Sequence, residues 1–318
     1  MPTSQTQNSQ DLAAPGSDIS RVLRAVSQQR AASWHFPGYY LGIIYESVGR
    51  DNATLTMDLN SNVGRNGQPL PVALCVLADV ALAAAIRGRV GFESRLATIS
   101  AKLTFTGRTD AQPLVAQSQT RFQSDANTIA IRNSAVTILS GDTEICFAEA
   151  NFAVLERPSD RPVQVLPRHG SLTHVELLDV NELTDLENNA YRRALQASRG
   201  DGDRQTTFTE KFWGLTPEAE GDTAICEIHC GLHIGNRVGH AQGGILLGLA
   251  ISTSLATVGQ GWRILEINAN FIRPGTEGTL TASSRMLNRG RNLAHVICEI
   301  TTKTGRLVLQ AQSTMIRE

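Results

Sequence analysis

Apolar and polar residues follow two distinct rhythms along this chain. Over residues 54–60, 98–105, 224–230 and 264–271 they alternate, the period-two signature of strands with one buried face. Two runs, 72–86 and 245–258, are instead apolar nearly all round a helical wheel, which predicts helices enclosed on every side. Each run is about fifteen residues long, short of the roughly 20 a membrane span needs, so both are expected inside protein. Residues 1–17, rich in Ser, Gln, Thr and Pro, have neither rhythm nor signal-peptide character, and a disordered tail is expected there.

The rhythms occur twice in the same order. Leu41-Gly42 precedes an alternating strand, a glycine-bearing loop, the first apolar helix and the strand at 98–105; Trp213-Gly214 opens the same series in the second half. Three further strands follow in each half, at 114–121, 128–139 and 144–155, then at 279–287, 294–302 and 306–316. Gly141-Asp142 and Thr304-Gly305 are hairpin-turn candidates. Between helix and next strand the second half is about six residues shorter, a difference assigned to a surface loop.

A sheet that curls around one central helix satisfies both rhythms. The expected class is therefore α+β, two tandem hot-dog units forming a pseudo-dimer. The N-terminal unit with its leading helix would occupy residues 18–156, a connector 157–205, and the C-terminal unit 206–318. Within the connector, prolines precede a polar segment at 173–198 expected to be helical and exposed.

Composition narrows the partners. The chain has 318 residues, 41% hydrophobic and 19% charged, with a net charge of -1, so no broad attraction to nucleic acid or a membrane surface is expected. Five cysteines, an odd number mostly in apolar or alternating runs, read as reduced core thiols of a cytoplasmic protein. Cys226 and Cys230 lie near His229, but alternation puts both sulfurs on one strand face and no metal is expected.

The segment from Asn236 through His240, Gln242, Gly243 and Gly244 to Ala250 resembles the signature loop and helix of the phenylacetate-type hot-dog thioesterases. That family's pattern is Asn, five residues, His-Gly-Gly, then an apolar helix with Asp or Glu nine positions after the His. Here Asn236, Gly243 and Gly244 fit, Gln242 stands at the His, and Ile251 stands at the acid. The first half has the reverse losses: Gly64 at the Asn, Leu70, Pro71 and Val72 at His-Gly-Gly, but Asp79 at the acid. The family's Ser or Thr after the helix corresponds to Thr98 in the first half and Ile264 in the second. Family sites lie across a dimer interface, with glycine loop and acid from different subunits. The resemblance therefore implies one retained composite site, Asn236 and Gly243 with Asp79 and Thr98, and one erased site at Leu70, Pro71, Ile251 and Ile264.

The implied activity is hydrolysis of an acyl-CoA thioester, which is a substrate rather than a cofactor. Gly243 would present a helix-terminal N–H to the developing oxyanion. Asn236 would add a donor or brace the loop, and Gly244 would let the acyl group approach the backbone. Asp79 would act as general base for water or as nucleophile, with Thr98 orienting the water. Gln242 and His240 flank the loop as substrate contacts. Coenzyme A phosphates call for cations at the mouth, with Arg273, Arg289, Arg291 and Lys303 as candidates. A homo-oligomer of fused chains is also expected. The rival readings are a hot-dog hydratase or dehydratase and a non-catalytic acyl-CoA-binding protein.

Overall fold

The computed structural model describes residues 17–32, 35–59, 62–64, 66–108, 112–125, 129–155, 175–199, 206–276 and 278–318. Nearly all of the expected tail, and connector residues 157–174 and 200–205, lie outside the described residues.

Twelve antiparallel strands form one sheet. In the first half these are β1 (Ile44–Val48), β2 (Asn52–Met57), β3 (Arg95–Phe105), β4 (Leu114–Asp125), β5 (Ala130–Ser140) and β6 (Thr143–Leu155). In the second they are β7 (Glu218–Glu220), β8 (Thr223–His229), β9 (Trp262–Phe271), β10 (Thr279–Arg289), β11 (Leu293–Thr302) and β12 (Leu307–Arg317). Their spatial order, β1-β2-β4-β5-β6-β3-β9-β12-β11-β10-β8-β7, is the same series read outward from the centre on both sides. The halves join where β3 pairs with β9, and Lys102 pairs there with Asn268. In the alignment that equates Thr98 with Ile264, these two are each other's counterparts, so the pseudo-twofold axis passes through that pair. The chain thus has the expected α+β architecture of two hot-dog units on a continuous sheet. The edge strands β1 and β7 carry no apolar alternation strong enough to have been anticipated.

Each half begins with a short helix closed by a left-handed glycine. Helices α1 (Asp18–Ala32) and α2 (Phe36–Leu41) lead the first half, α2 ending at Gly42 with φ 70°. After the connector helix α4 (Asp185–Ser198), α5 (Phe208–Trp213) leads the second and ends at Gly214 with φ 77°. A β-carbon is strained at such angles, which accounts for Leu41-Gly42 and Trp213-Gly214 as the first recognisable repeat. Contrary to expectation α4 is not wholly exposed. It buries Ala190, Tyr191 and Ala194, and Glu187 pairs with Arg30 of α1.

The enclosed helices are α3 (Pro71–Val90) and α6 (Gly243–Val258), each packed on the strands of its own half and on the other. At 20 residues α3 exceeds its apolar run and is long and apolar enough to cross a membrane; here it is mostly buried within the protein. Its strands also hold it by polar bonds. Ser118 Oγ donates to the Ala81 carbonyl at 2.7 Å, and Ser284 Oγ donates to the Thr253 carbonyl of α6 at 3.1 Å. These serines are twofold counterparts, each giving a buried hydroxyl its acceptor in mid-helix.

The unequal spacing between helix and following strand is only in small part a loop. Four of the extra residues are a further turn of α3, which is 20 residues long against 16 for α6. That turn is held against the β1–β2 connection. Gly88 lies so close to the Gly49 carbonyl that a Cβ would sit 1.8 Å from it, and Arg89 pairs with Asp51. All five cysteines are free, with Cys226 buried on β8 and Cys230 half-buried just beyond it.

Candidate functional site

Asp79 lies in the middle of α3, where the two central helices meet. Helix α6 starts beside it: a Cβ on Gly243 would fall 2.9 Å from Asp79 Oδ1, so only glycine leaves the carboxylate its place. Gln242 caps α6, its Oε1 accepting the Ile245 N–H at 3.0 Å, and its Nε2 donates to Asp79 Oδ2 at 2.6 Å. From β3, Thr98 Oγ1 donates to Asp79 Oδ1 at 3.2 Å, at a point where the β3–β6 register slips between Thr98 and Ser100. Such a bulge re-aims a strand side chain, here toward the helix. The Gly244 N–H lies close enough to favour the charged carboxylate.

Burial pushes the Asp79 carboxyl up to about 6, opposed by the Thr98 hydrogen bond, the Arg87 charge and the Gly244 N–H. Desolvation therefore outweighs three stabilising contacts, and the group titrates near neutrality.

The loop before α6 is fixed by its own backbone. Asn236 Oδ1 accepts the Val238 N–H at 3.0 Å and the His240 N–H at 3.1 Å, while the Asn236 N–H donates to the His240 carbonyl at 2.7 Å. The Ala241 N–H reaches the Gly275 carbonyl at 2.7 Å. Arg237 ties the loop to the first half through the carbonyls of Phe92, at 2.6 Å, and Ser94. The Asn236 side-chain oxygen is thus occupied within the loop.

These groups border a cavity of about 340 Å³ between the halves. Asp79, Thr98, Asn236, His240, Gln242 and Gly243 all line it. Gly244, expected beside the acyl group, does not: a Cβ there would lie 2.5 Å from Val76 Cα, so its bare backbone serves the contact between α6 and α3 instead. Among the proposed phosphate-binding cations only Arg273 lines the cavity. Arg289 instead covers the Trp262 ring and bonds the Val258 carbonyl, and Arg291 and Lys303 are exposed elsewhere.

Sequence reasoning missed Arg87, Arg95, Arg237, His35 and Tyr45, which also line the cavity. The signal for Arg87 was the six-residue length difference, had it been assigned to the helix. His35 is buried, accepts the Gly38 N–H on Nδ1 at 3.0 Å, and is held down to about 3 by burial and by the charges of Arg87 and Arg237. It is a neutral group at this wall.

The twofold counterpart of the site is different in kind. Gly244 meets Val76, and their counterparts Val72 and Gly248 meet likewise, so the same operation carries the Gly243–Asp79 contact onto Pro71 and Ile251. Leu70 caps α3 with no side-chain hydrogen bond and Pro71 has no N–H. Ile251 and Ile264 are buried.

The thioesterase superfamily model matches residues 238–309, which begin in the Asn236 loop and run through α6 and the sheet into β12. No curated protein matches the chain. A candidate oleoyl thioesterase from Lactobacillus plantarum shares 11% identity, with 84% of this chain and 96% of that one covered, at TM-score 0.52. A hot-dog protein of unknown function from Alicyclobacillus acidocaldarius shares 9%, covering 84% and 93%, at TM-score 0.52. A candidate thioesterase II from Thermobifida fusca shares 11%, covering 87% and 95%, at TM-score 0.50. At these identities the likeness is one of fold, and it extends over both halves. By its matched segment and its architecture, this chain resembles the tandem hot-dog proteins of the thioesterase superfamily.

Proposed function

We propose that the protein hydrolyses an acyl-CoA thioester at one composite site, with Asp79 from the first half and the Gly243 N–H from the second. The observation that carries this reading is the contact between Asp79 and Gly243 across the pseudo-twofold, opposite a counterpart holding isoleucine and proline. Among the described residues no protein acceptor takes the Gly243 N–H, and it stands at the first position of a sixteen-residue helix. A thioester carbonyl placed there would gain both a hydrogen bond and the helix dipole as its oxygen becomes an anion.

As general base, Asp79 takes a proton from water while the water oxygen bonds the carbonyl carbon. Collapse of the tetrahedral species breaks the C–S bond, and the sulfur leaves with the proton returned by Asp79. As nucleophile, the carboxylate would itself form the bond and release the thiolate, leaving an anhydride that water then hydrolyses. Thr98 and Gln242 hold the carboxylate in one orientation for either course. Arg95 and Arg273, half-buried and exposed at the cavity, suit the phosphates of coenzyme A.

Thiol release from a panel of acyl-CoAs tests the reading. Turnover by the wild type, lowered about 10²- to 10⁴-fold in Asp79→Asn, is expected from loss of a general base. Turnover unchanged in that variant would refute the composite site. Exposed Phe147 of β6 and Ile225 of β8 offer surface for association of fused chains, which light scattering would reveal.

A further inference from the structure

We propose that the acyl group of the substrate carries an anionic terminus and that Arg87 binds it. This inference rests on the thioesterase reading for the position of the thioester, and it names the class of acyl group that the cavity selects.

Asp79, Val80, Ala83 and Arg87 all line the cavity from α3. Their spacing puts them on one helical face, with a rise of roughly 12 Å from the first Cα to the last. A long helical side chain leans toward the N-terminus, so the guanidinium reaches back along that face toward the reacting end. Mutual attraction between Arg87 and Asp79 acts on the titration of both groups. An acyl chain whose carbonyl sits at Gly243 can therefore run past Val80 and Ala83 and end at a cation.

The Arg87 Nε is shut away from solvent and has no hydrogen-bond partner among the described residues. A buried donor of a charged group left without an acceptor is costly, and a protein seldom keeps one without a use. The other nearby charges do not neutralise it: among the described residues the cavity wall holds Arg87, Arg95, Arg237 and Arg273 against a single carboxylate, Asp79. Arg237 is committed to the carbonyls of Phe92 and Ser94, whereas Arg273 is exposed. Arg87 also belongs to the extra turn of α3 that has no equivalent in α6, a turn anchored by Gly88 against the Gly49 carbonyl and by Arg89 against Asp51. The turn delivers one guanidinium to the site.

The test compares carbon-matched thioesters, succinyl-, glutaryl- and adipyl-CoA against butyryl-, valeryl- and hexanoyl-CoA, with wild type, Arg87→Met and Arg87→Lys. At least one dicarboxylic thioester should exceed its neutral match in kcat/KM by about 10- to 100-fold, the worth of a hydrogen bond to a charged group. Arg87→Met, assayed at about pH 8 where Asp79 is ionised with or without the Arg87 charge, should bring the ratio of dicarboxylic to neutral kcat/KM to about 1, and Arg87→Lys should keep part of it. Calorimetric titration of glutaryl-CoA, valeryl-CoA and free coenzyme A into Asp79→Asn, with and without Arg87→Met, reads the same preference without turnover. If no thioester is hydrolysed but glutaryl-CoA still binds more tightly through Arg87, the thioesterase reading fails and the anion subsite stands. A wild type with no dicarboxylic preference in either assay would overturn the proposal. So would an Arg87→Met loss shared equally by coenzyme A and all thioesters, which would mark a phosphate contact. The wild-type comparison tests the anionic terminus without any variant, and should Arg87→Met misfold, Arg87→Lys tests the assignment to Arg87: a preference unchanged in that variant would overturn it.

Discussion

Gln242 Nε2 lies 2.6 Å from Asp79 Oδ2, so the cap of one half's helix holds the acid of the other. The same amide uses its oxygen on the Ile245 N–H, which fixes the direction of the pair: the nitrogen must face the carboxylate. A glutamine here gives a neutral donor that holds its protonation at every pH. Gln242→Glu keeps the cap but sets a second carboxyl beside Asp79, and like charges at that range share one proton. The acid limb of kcat/KM should move to higher pH, as a pH–rate profile would show, with full activity reached only in alkaline buffer.

In the wild type that limb should lie near pH 6. Asp79 must be ionised to accept a proton from water, and burial has raised it from 3.8 to about 6. The same shift has a cost in stability. Below about pH 4 folded and unfolded chains both hold the proton; between about 4 and 6 the unfolded chain releases it first, so stability falls as pH rises, by about 3 kcal/mol in total. Asp79→Asn removes this penalty. Denaturant titration at pH 8 should find the variant at least as stable as wild type, with the advantage shrinking toward pH 4 while activity stays low throughout.

Thr98 favours the charged form of Asp79 through its hydrogen bond. Thr98→Val is close in shape and removes that donor, leaving desolvation less opposed. The acid limb should therefore shift upward from the wild-type position while activity well above it is largely retained. A fall in activity of equal size at all pH values would instead assign Thr98 to the water or substrate.

The repeat, the curled sheet and the pairing of Asp79 with Gly243 were all legible because alternation, all-round apolar runs and complementary losses at matched positions leave few other arrangements. The extra turn of α3 was not. Residues 87–90 break the apolar run with Arg87, Gly88 and Arg89, and their helical state depends on Gly49 and Asp51 nearly forty residues earlier. Gly244 was misassigned for a related reason. A glycine at a helix start fits substrate access and helix packing equally well, and only the position of Val76 on the facing helix distinguishes them. The serines bonded to the Ala81 and Thr253 carbonyls were likewise indistinguishable from ordinary strand residues.

Packing at Gly244 and Gly248 separates the two helix contacts experimentally. Alanine at 244 would place its Cβ 2.5 Å from Val76 Cα and 2.6 Å from the Cys75 carbonyl, atoms of a helix backbone that cannot rotate aside. Alanine at 248 meets Val72 Cγ2 at 2.3 Å, which can turn aside, Val72 Cβ at 2.6 Å, which cannot, and Val72 Cα only at 2.9 Å, so less of the clash falls on the main chain than at 244. Overpacking typically costs about 1–3 kcal/mol, and the cost rises when backbone must move. Gly244→Ala should therefore be the more destabilising substitution. It should also lower kcat, because any displacement that relieves it moves the start of α6 away from Asp79 and weakens the Gln242 bond to that carboxylate. Gly248→Ala lies more than a turn further along and should lose stability with little change in kcat. Thermal unfolding and thiol-release kinetics on both variants check the pair; equal effects on kcat would mean that the spacing of α3 and α6 does not set the geometry of the Asp79–Gly243 site.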